Sequence, residues 1–513
     1  MVEHKNIIVS KRLVVINSAS SVIARLINFA VLMWVYQYLL KRLPAEEFAV
    51  LPVVTSLMVF APLFFSFFIG GISRYTIDAY AKGDFTEARR ILSSLFPVLL
   101  LAAAVFLPAG LLLAANIEKV LNIAPQMVGD ARIMLTLLLV CFTYEMTVVP
   151  YKVAYAVRQR YLELNLLEVM RDLIRAVLVV VFLLTINSAV IWVVVATFIA
   201  EMVLVTVTLV RSRKLVPELY FDRHLFSFSR AREMINFGVW TTLGRLGSIM
   251  YTNAATIVLN LHGTAVDVTS YHIGATFFRQ LQSTINLAAQ PLQPAITAMN
   301  ALADKRRLAS TVLRGGRYAL WVSMILAAPL IVYADAFIHL YLGDNYSKAS
   351  MIIVLFMVMF PFTQPTILLP ITATAMARVR AFFLPAFLFQ FGGLGLMLIF
   401  VTWLGMGAIG VTLALTIITI GSQLGYFWWF SLRLTETSFA TFATEVLWRG
   451  LLPAGVGTVV WVGLRLIAAP DTWVRLIGFG AAGALVYVIV LLMFCLNSSE
   501  RADLRRVLGR FGI

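Results

Sequence analysis

The stretch LNLLEVMRDLIRAVLVVVFLLTIN, residues 164–187, sets Glu168, Arg171, Asp172 and Arg175 directly before a wholly apolar run. That run, Ala176 to Ile186, has only eleven residues. A helix that crosses a bilayer needs about 20 apolar residues. Either the segment stops short of crossing, or its charges enter the membrane. The flanks decide: basic RQRY (158–161) precedes it and another apolar segment follows, so the chain has to cross here. To reach spanning length, the embedded part must begin near Leu166, which sets Arg175 roughly 13 Å deep. Helical spacing puts Tyr161, Glu168, Arg171, Asp172 and Arg175 on one face. Ionised groups facing lipid are costly, so this face is expected to look onto protein or water.

The whole chain reads the same way. It is 61% hydrophobic and 13% charged, where a soluble protein carries about 25% charge. Mean hydropathy is +0.90, and apolar stretches of spanning length recur from end to end. Spans must be helices or a closed barrel. The runs are continuous rather than alternating, so they are helices. The fold class expected is all-α: a polytopic membrane protein of about 14 transmembrane helices. The first run follows Lys11 and Arg12 and is too long for a signal-peptide core, so it reads as an uncleaved first span. Cys141 and Cys495 both sit in apolar segments, implying neither a disulfide framework nor a metal cluster.

The expected spans are 13–40, 48–72, 91–115, 131–157, 162–186, 189–210, 235–261, 266–298, 311–333, 349–373, 381–404, 407–431, 447–468 and 474–496. With the N-terminus inside, 28 of the 41 Lys and Arg fall in cytoplasmic segments and only 5 in outer loops. That asymmetry places both termini in the cytoplasm and accounts for most of the +16 net charge without nucleic acid. The longest interior loop, 211–234, divides the chain and is expected to carry a short interfacial amphipathic helix. The expected organisation is an N-terminal six-helix lobe (1–215), a cytoplasmic linker (216–234), a C-terminal six-helix lobe (235–433), and two further helices with a basic tail (434–513). A weak repeat supports it. VVPYKVAYAVRQRY (148–161) parallels LLPITATAMARVRA (368–381), aligning Pro150, Arg158 and Arg160 with Pro370, Arg378 and Arg380. Copies of six helices keep one orientation, an arrangement common in transporters.

Polar stripes mark the candidate site. The seventh span carries Thr241, Arg245, Ser248, Thr252 and Thr256 at helical spacing. The eighth carries His272, Thr276, Arg279, Gln282, Ser283, Asn286, Gln290 and Gln293, and the first carries Ser18, Ser21, Arg25 and Asn28. Stripes that run the length of a span exceed what helix–helix packing needs. Deep in the spans stand six cations (Arg25, Lys152, Arg171, Arg175, Arg245, Arg279) and three acids (Glu145, Asp172, Glu201). Arginine does not readily lose its proton, and its planar fork matches phosphate. The residues expected to bind substrate are therefore Arg25, Arg171, Arg175, Arg245, Arg279, Gln282, Asn286 and Gln290, lining a cationic cavity. A self-neutralised ion-pair knot is the competing reading of the residue 168–175 face. Glu145, Asp172 and Glu201 are the candidates for coupling to H+ or Na+; no cofactor or metal is expected. There is no G-x-x-x-x-G-K-[ST], H-E-x-x-H or G-x-S-x-G motif, and no large outer loop for glycosyl transfer. An enzyme is not expected.

Several stretches resemble the polysaccharide-lipid flippase branch of the multidrug/oligosaccharidyl-lipid/polysaccharide exporter superfamily. YLLKRLPAEEFAVLPVVTSLMVF followed by IGGISRYTIDAYAKGDFTEARRIL is similar to that family's first loop, second span and first basic loop. AYAVRQRYLELNLLEVMRDLIRAVL, IHLYLGDNYSKASMIIVL and WLGMGAIGVTLAL resemble its later junctions, in the same order and spacing. The resemblance implies two six-helix lobes forming a V plus two C-terminal helices. It implies alternating-access export of an undecaprenyl-pyrophosphate-linked oligosaccharide, an O-antigen or exopolysaccharide repeat unit. Two departures stand out: Asn253 where many relatives have an acid, and FAVLPV without the glycine often found there. The first span has Arg25 but lacks the Pro-Gly approach of lipid II flippases, which ranks that substrate lower.

The alternatives are an ion-coupled multidrug exporter of the same fold, whose cavity should be acidic, a polytopic glycan-modifying enzyme, and a non-transporting envelope scaffold. The expected partners are the lipid-linked oligosaccharide, membrane lipids and polysaccharide polymerase or export machinery, in the inner (cell) membrane.

Overall fold

The computed structural model describes residues 29–58, 61–62, 64–65, 72–158, 160–289, 292–497 and 500–501. Arg25, Gln290 and the tail beyond residue 501 lie outside them. So do the side chains of Arg245 and of its stripe partners Thr241, Ser248 and Thr252.

Every regular element among the described residues is helical, as the apolar periodicity requires. They form two compact units, Met1–Thr269 and Ser270–Ile513. The first holds α1 (Phe29–Leu40), α2 (Ala45–Leu57), α3 (Ile72–Ala81), α4 (Phe85–Ala115), α5 (Val128–Val157), α6 (Tyr161–Thr185), α7 (Ile191–Leu215) and α8 (Phe228–His262). Next, α9 (Ala265–Ala289) leads into the second unit with α10 (Leu292–Ala301) and α11 (Lys305–Leu342). A broken span follows: α12 (Lys348–Met357), α13 (Phe360–Thr363), a 3-10 turn at Gln364–Thr366, and α14 (Leu369–Ala375). Last come α15 (Val379–Trp403), α16 (Gly407–Thr435), α17 (Phe439–Ile467) and α18 (Trp473–Cys495).

Nine helices among the described residues are long and apolar enough to cross a bilayer. The other five expected spans fall on helices that are only partly described, or too charged or polar to qualify. Outward-facing Leu112, Leu184, Leu466 and Val474 stay exposed, as a lipid-facing surface requires.

Local chemistry sets the boundaries. Asp84 caps α4, accepting from the Glu87 amide at 2.8 Å, and Asp304 caps α11, accepting from the Arg307 amide at 3.1 Å. These caps lie at the repeat shift seen in the sequence, and each opens a long helix. In the first unit α5 packs between α4 and α7, around a core that includes Leu92, Leu95, Tyr151 and Val153.

The loop between α7 and α8 corrects one expectation. It holds no interfacial helix, only a 3-10 turn at Arg223–Leu225 capped by Asp222. Pro217 cannot continue α7. The loop is stapled to α4: the Asp222 and Ser227 amides donate to Ser93 Oγ (2.9 Å) and Ser94 Oγ (3.0 Å), and Arg89 donates to the Glu218 carbonyl (3.3 Å). Both serines are fully buried.

In the second unit α11 kinks at Tyr333, four residues after Pro329. The Val332 carbonyl at the kink accepts from Arg465, and Tyr333 Oη donates to the Trp461 carbonyl at 2.8 Å. Prolines 361, 365 and 370 explain the broken span, since each removes a donor from the helical ladder. Gly316 lets α11 approach that break. A Cβ there would meet the Pro365 carbonyl oxygen at 2.3 Å.

At one end of α11, Arg317 is 1% exposed and bonded to Glu445 (2.9 Å) and Glu500. Tyr318 Oη and the Asn497 amide also donate to Glu500, at 2.7 and 2.9 Å, and Arg449 pairs with Glu445 at 3.0 Å. This network fastens the start of α17 and the chain beyond α18 to α11.

Candidate functional site

Candidate residues of the first unit meet where α5, α6 and α7 adjoin. Spacing of three and four residues aligns Arg171, Asp172 and Arg175 along α6. Arg171 Nη1 lies 3.1 Å from Glu201 on α7, and its Nε 3.5 Å from Asp172. Arg175 Nη2 lies 3.2 Å from Asp172, which is 1% exposed. On α5, Lys152 Nζ is 2.7 Å from Glu145. The charges of Arg171, Glu145, Lys152 and Arg175 all act on Glu201, so the pairs form one cluster. Glu168, expected on the same face, is exposed.

This arrangement changes the charge ledger read from the sequence. The three acids Glu145, Asp172 and Glu201 each hold a cation: Lys152, Arg175 and Arg171 respectively. The remaining candidate cations are Arg25, Arg245 and Arg279. Of these, only Arg279 has a described side chain.

Arg279 lies on α9 in the second unit. Its Nη2 donates to Thr276 Oγ1 at 3.4 Å, and among the described residues no carboxylate stands within ion-pair distance. One turn on, Gln282 Nε2 donates to Asn286 Oδ1 at 3.2 Å. Thr276 Oγ1 in turn donates to the His272 carbonyl at 2.6 Å, and the Oγ of half-buried Ser283 is shielded from solvent. Arg279, Gln282 and Asn286, at intervals of three and four residues, thus form a partly open polar edge. No group of three His, Cys, Asp or Glu side chains among the described residues is arranged to hold a metal.

The sequence reading missed three polar residues. Gln364, in the 3-10 turn of the broken span, is fully buried and donates to Gln282 Oε1 at 2.9 Å. Gln423 accepts from Thr366 Oγ1 at 2.8 Å. Arg317, near the start of the expected span 311–333, is buried. The signal was present: FPFTQPT places a glutamine between two prolines inside an apolar run.

An all-helical chain with recurrent spans, a broken helix and paired intramembrane charges has the architecture of a polytopic transporter. Comparison supports this. The fold matches a solved structure of the lipid II flippase MurJ in an inward closed conformation with a TM-score of 0.71 and 13% identity, covering 93% of this chain and 98% of that one. It also matches an inward-facing multidrug resistance MATE family transporter, with a TM-score of 0.65 and 15% identity over 80% of this chain and 95% of the other. The uncharacterized membrane protein EpsK of Bacillus subtilis (strain 168) is 22% identical over 509 residues, 97% of each chain. Residues 14–300 match the family model for polysaccharide biosynthesis proteins. The chain belongs to the polysaccharide biosynthesis protein family, and its fold is the one shared by those flippase and multidrug transporter structures.

Proposed function

We propose that this protein moves an undecaprenyl-pyrophosphate-linked oligosaccharide across the cell membrane by alternating access. One observation carries the reading. The acids Glu145, Asp172 and Glu201 are each paired with a cation, while Arg279 has none of the described carboxylates as partner. A half-buried guanidinium keeps its charge, so it favours an anionic ligand, and its fork suits phosphate oxygens. An exporter of organic cations needs carboxylates free to receive them, and Glu145, Asp172 and Glu201 are engaged.

The test is reconstitution in liposomes with a fluorescent polyprenyl-pyrophosphate oligosaccharide and measurement of its transfer between leaflets. Transfer by the wild type, with at least a tenfold loss in Arg279→Glu, is expected. Undiminished transfer by R279E, or none by the wild type, overturns the proposal.

A further inference from the structure

Gln364 cannot touch a substrate, because it is sealed inside the second unit. It can act only through what it holds. Its amide nitrogen donates to Gln282 Oε1 at 2.9 Å, which commits the Gln282 oxygen inward. The Gln282 amide nitrogen then donates to Asn286 Oδ1 at 3.2 Å, which occupies the Asn286 oxygen. Each carboxamide has one acceptor end and one donor end. A relay that begins with a donor therefore ends with a donor: the NH2 of Asn286, on an exposed residue. Arg279, a residue with donors only, stands two turns away on α9.

We infer that Gln364 is a positioning residue that polarises Gln282 and Asn286 into a donor strip for acceptor oxygens of the sugar next to the pyrophosphate, with Arg279 taking the phosphate. This rests on the proposed transport function and divides the ligand between two ends of one helix edge. A rise of 1.5 Å per residue puts about 10 Å between Arg279 and Asn286, enough for a phosphate at one end and a sugar at the other. The break in the span makes the relay possible. Pro361 precedes the turn that carries Gln364, Pro365 lies within it, and Gly316 admits that turn against α11. A regular helix would not have the same backbone in this place. The Gln364 oxygen, buried with no partner among the described residues, marks an amide held for its donor end.

The experiment compares binding of two probes to the purified full chain: a polyprenyl pyrophosphate bearing a disaccharide, and the same lipid without sugar. Gln364→Leu is expected to weaken the glycosylated probe five- to tenfold and leave the bare lipid unchanged, the scale of one or two lost hydrogen bonds. Asn286→Asp, an exposed change that leaves packing intact, is expected to do the same by presenting an acceptor instead. R279Q weakens both probes. Gln282→Leu and Q364L should be non-additive in the double variant, since both break one relay. If Q364L and N286D leave the ratio of the two affinities at its wild-type value, or if Q282L and Q364L add independently, the inference is overturned while transport stands. If the wild type binds neither lipid, the transport reading fails and this inference with it.

Discussion

Arg171 reaches from α6 to Glu201 on α7, Nη1 to Oε1 at 3.1 Å, and makes the two helices share one charge pair. Removing one member of such a pair strands the other in a medium that solvates it poorly. Both side chains keep some exposure, 27% and 20%, so the cost is moderated. Glu201→Gln is expected to lower stability by about 1–2 kcal/mol, read as the unfolding midpoint in detergent. Asp172→Asn, at a 1% exposed carboxylate serving two arginines, should cost more, about 3 kcal/mol. The double variant R171L/E201L should recover most of the E201Q loss, because it leaves no orphan charge.

Gly316 makes a steric prediction. A methyl group there would sit 2.3 Å from the Pro365 carbonyl oxygen, which is backbone and cannot swing away. Gly316→Ala should destabilise by about 1–3 kcal/mol through overpacking. Gly455→Ala is the control, since its added carbon meets nothing within 4 Å. Thermal unfolding of the two variants side by side checks the contrast.

Glu500 makes stability depend on pH. Burial pushes its carboxyl up, but the Asn497 amide, the Tyr318 hydroxyl and the Arg317 guanidinium outweigh burial and hold it below the ordinary glutamate value. A carboxylate depressed in the folded state adds stability above its unfolded pKa, and loses it as pH falls through the folded one. The wild type should therefore lose its advantage over Glu500→Gln below about pH 4. Unfolding midpoints of both proteins from pH 7 down to 3 measure this, and a constant gap would refute it.

The α7–α8 loop should resist proteases that usually attack such connections. Its amides are held by Ser93 and Ser94. The double variant S93A/S94A removes two acceptors, each contributing about 1 kcal/mol. Trypsin cleavage after Arg223 is expected to accelerate severalfold, while cleavage at the exposed Lys305 keeps its rate.

What the sequence made legible follows from what is local. Apolar run lengths placed the long helices. Spacing put Arg171, Asp172 and Arg175 together, because three and four residues are one helical turn. The partner of Arg171 was not legible: Glu201 comes from another helix, and only packing selects it. The same holds for Gln364 and Gln282, 82 positions apart in the chain. Arg317 misled for a related reason. It sits at the end of an apolar run, where the default is water, and only Glu445 and Glu500 folding back to it make burial tolerable. The expected interfacial helix failed because side-chain acceptors on α4 offered the loop amides a better arrangement than a helix.

The second half of the chain carries four π-turns among the described residues, at Ile399–Trp403, Gln423–Phe427, Ala443–Trp448 and Leu491–Cys495. A π-turn houses one residue more than the α-helix around it. Deleting a single residue inside one would relax it to ordinary winding and leave the faces of the helix beyond it aimed as before. These are therefore the points at which a lineage can change its chain length by one within a span and still thread the bilayer in the same register.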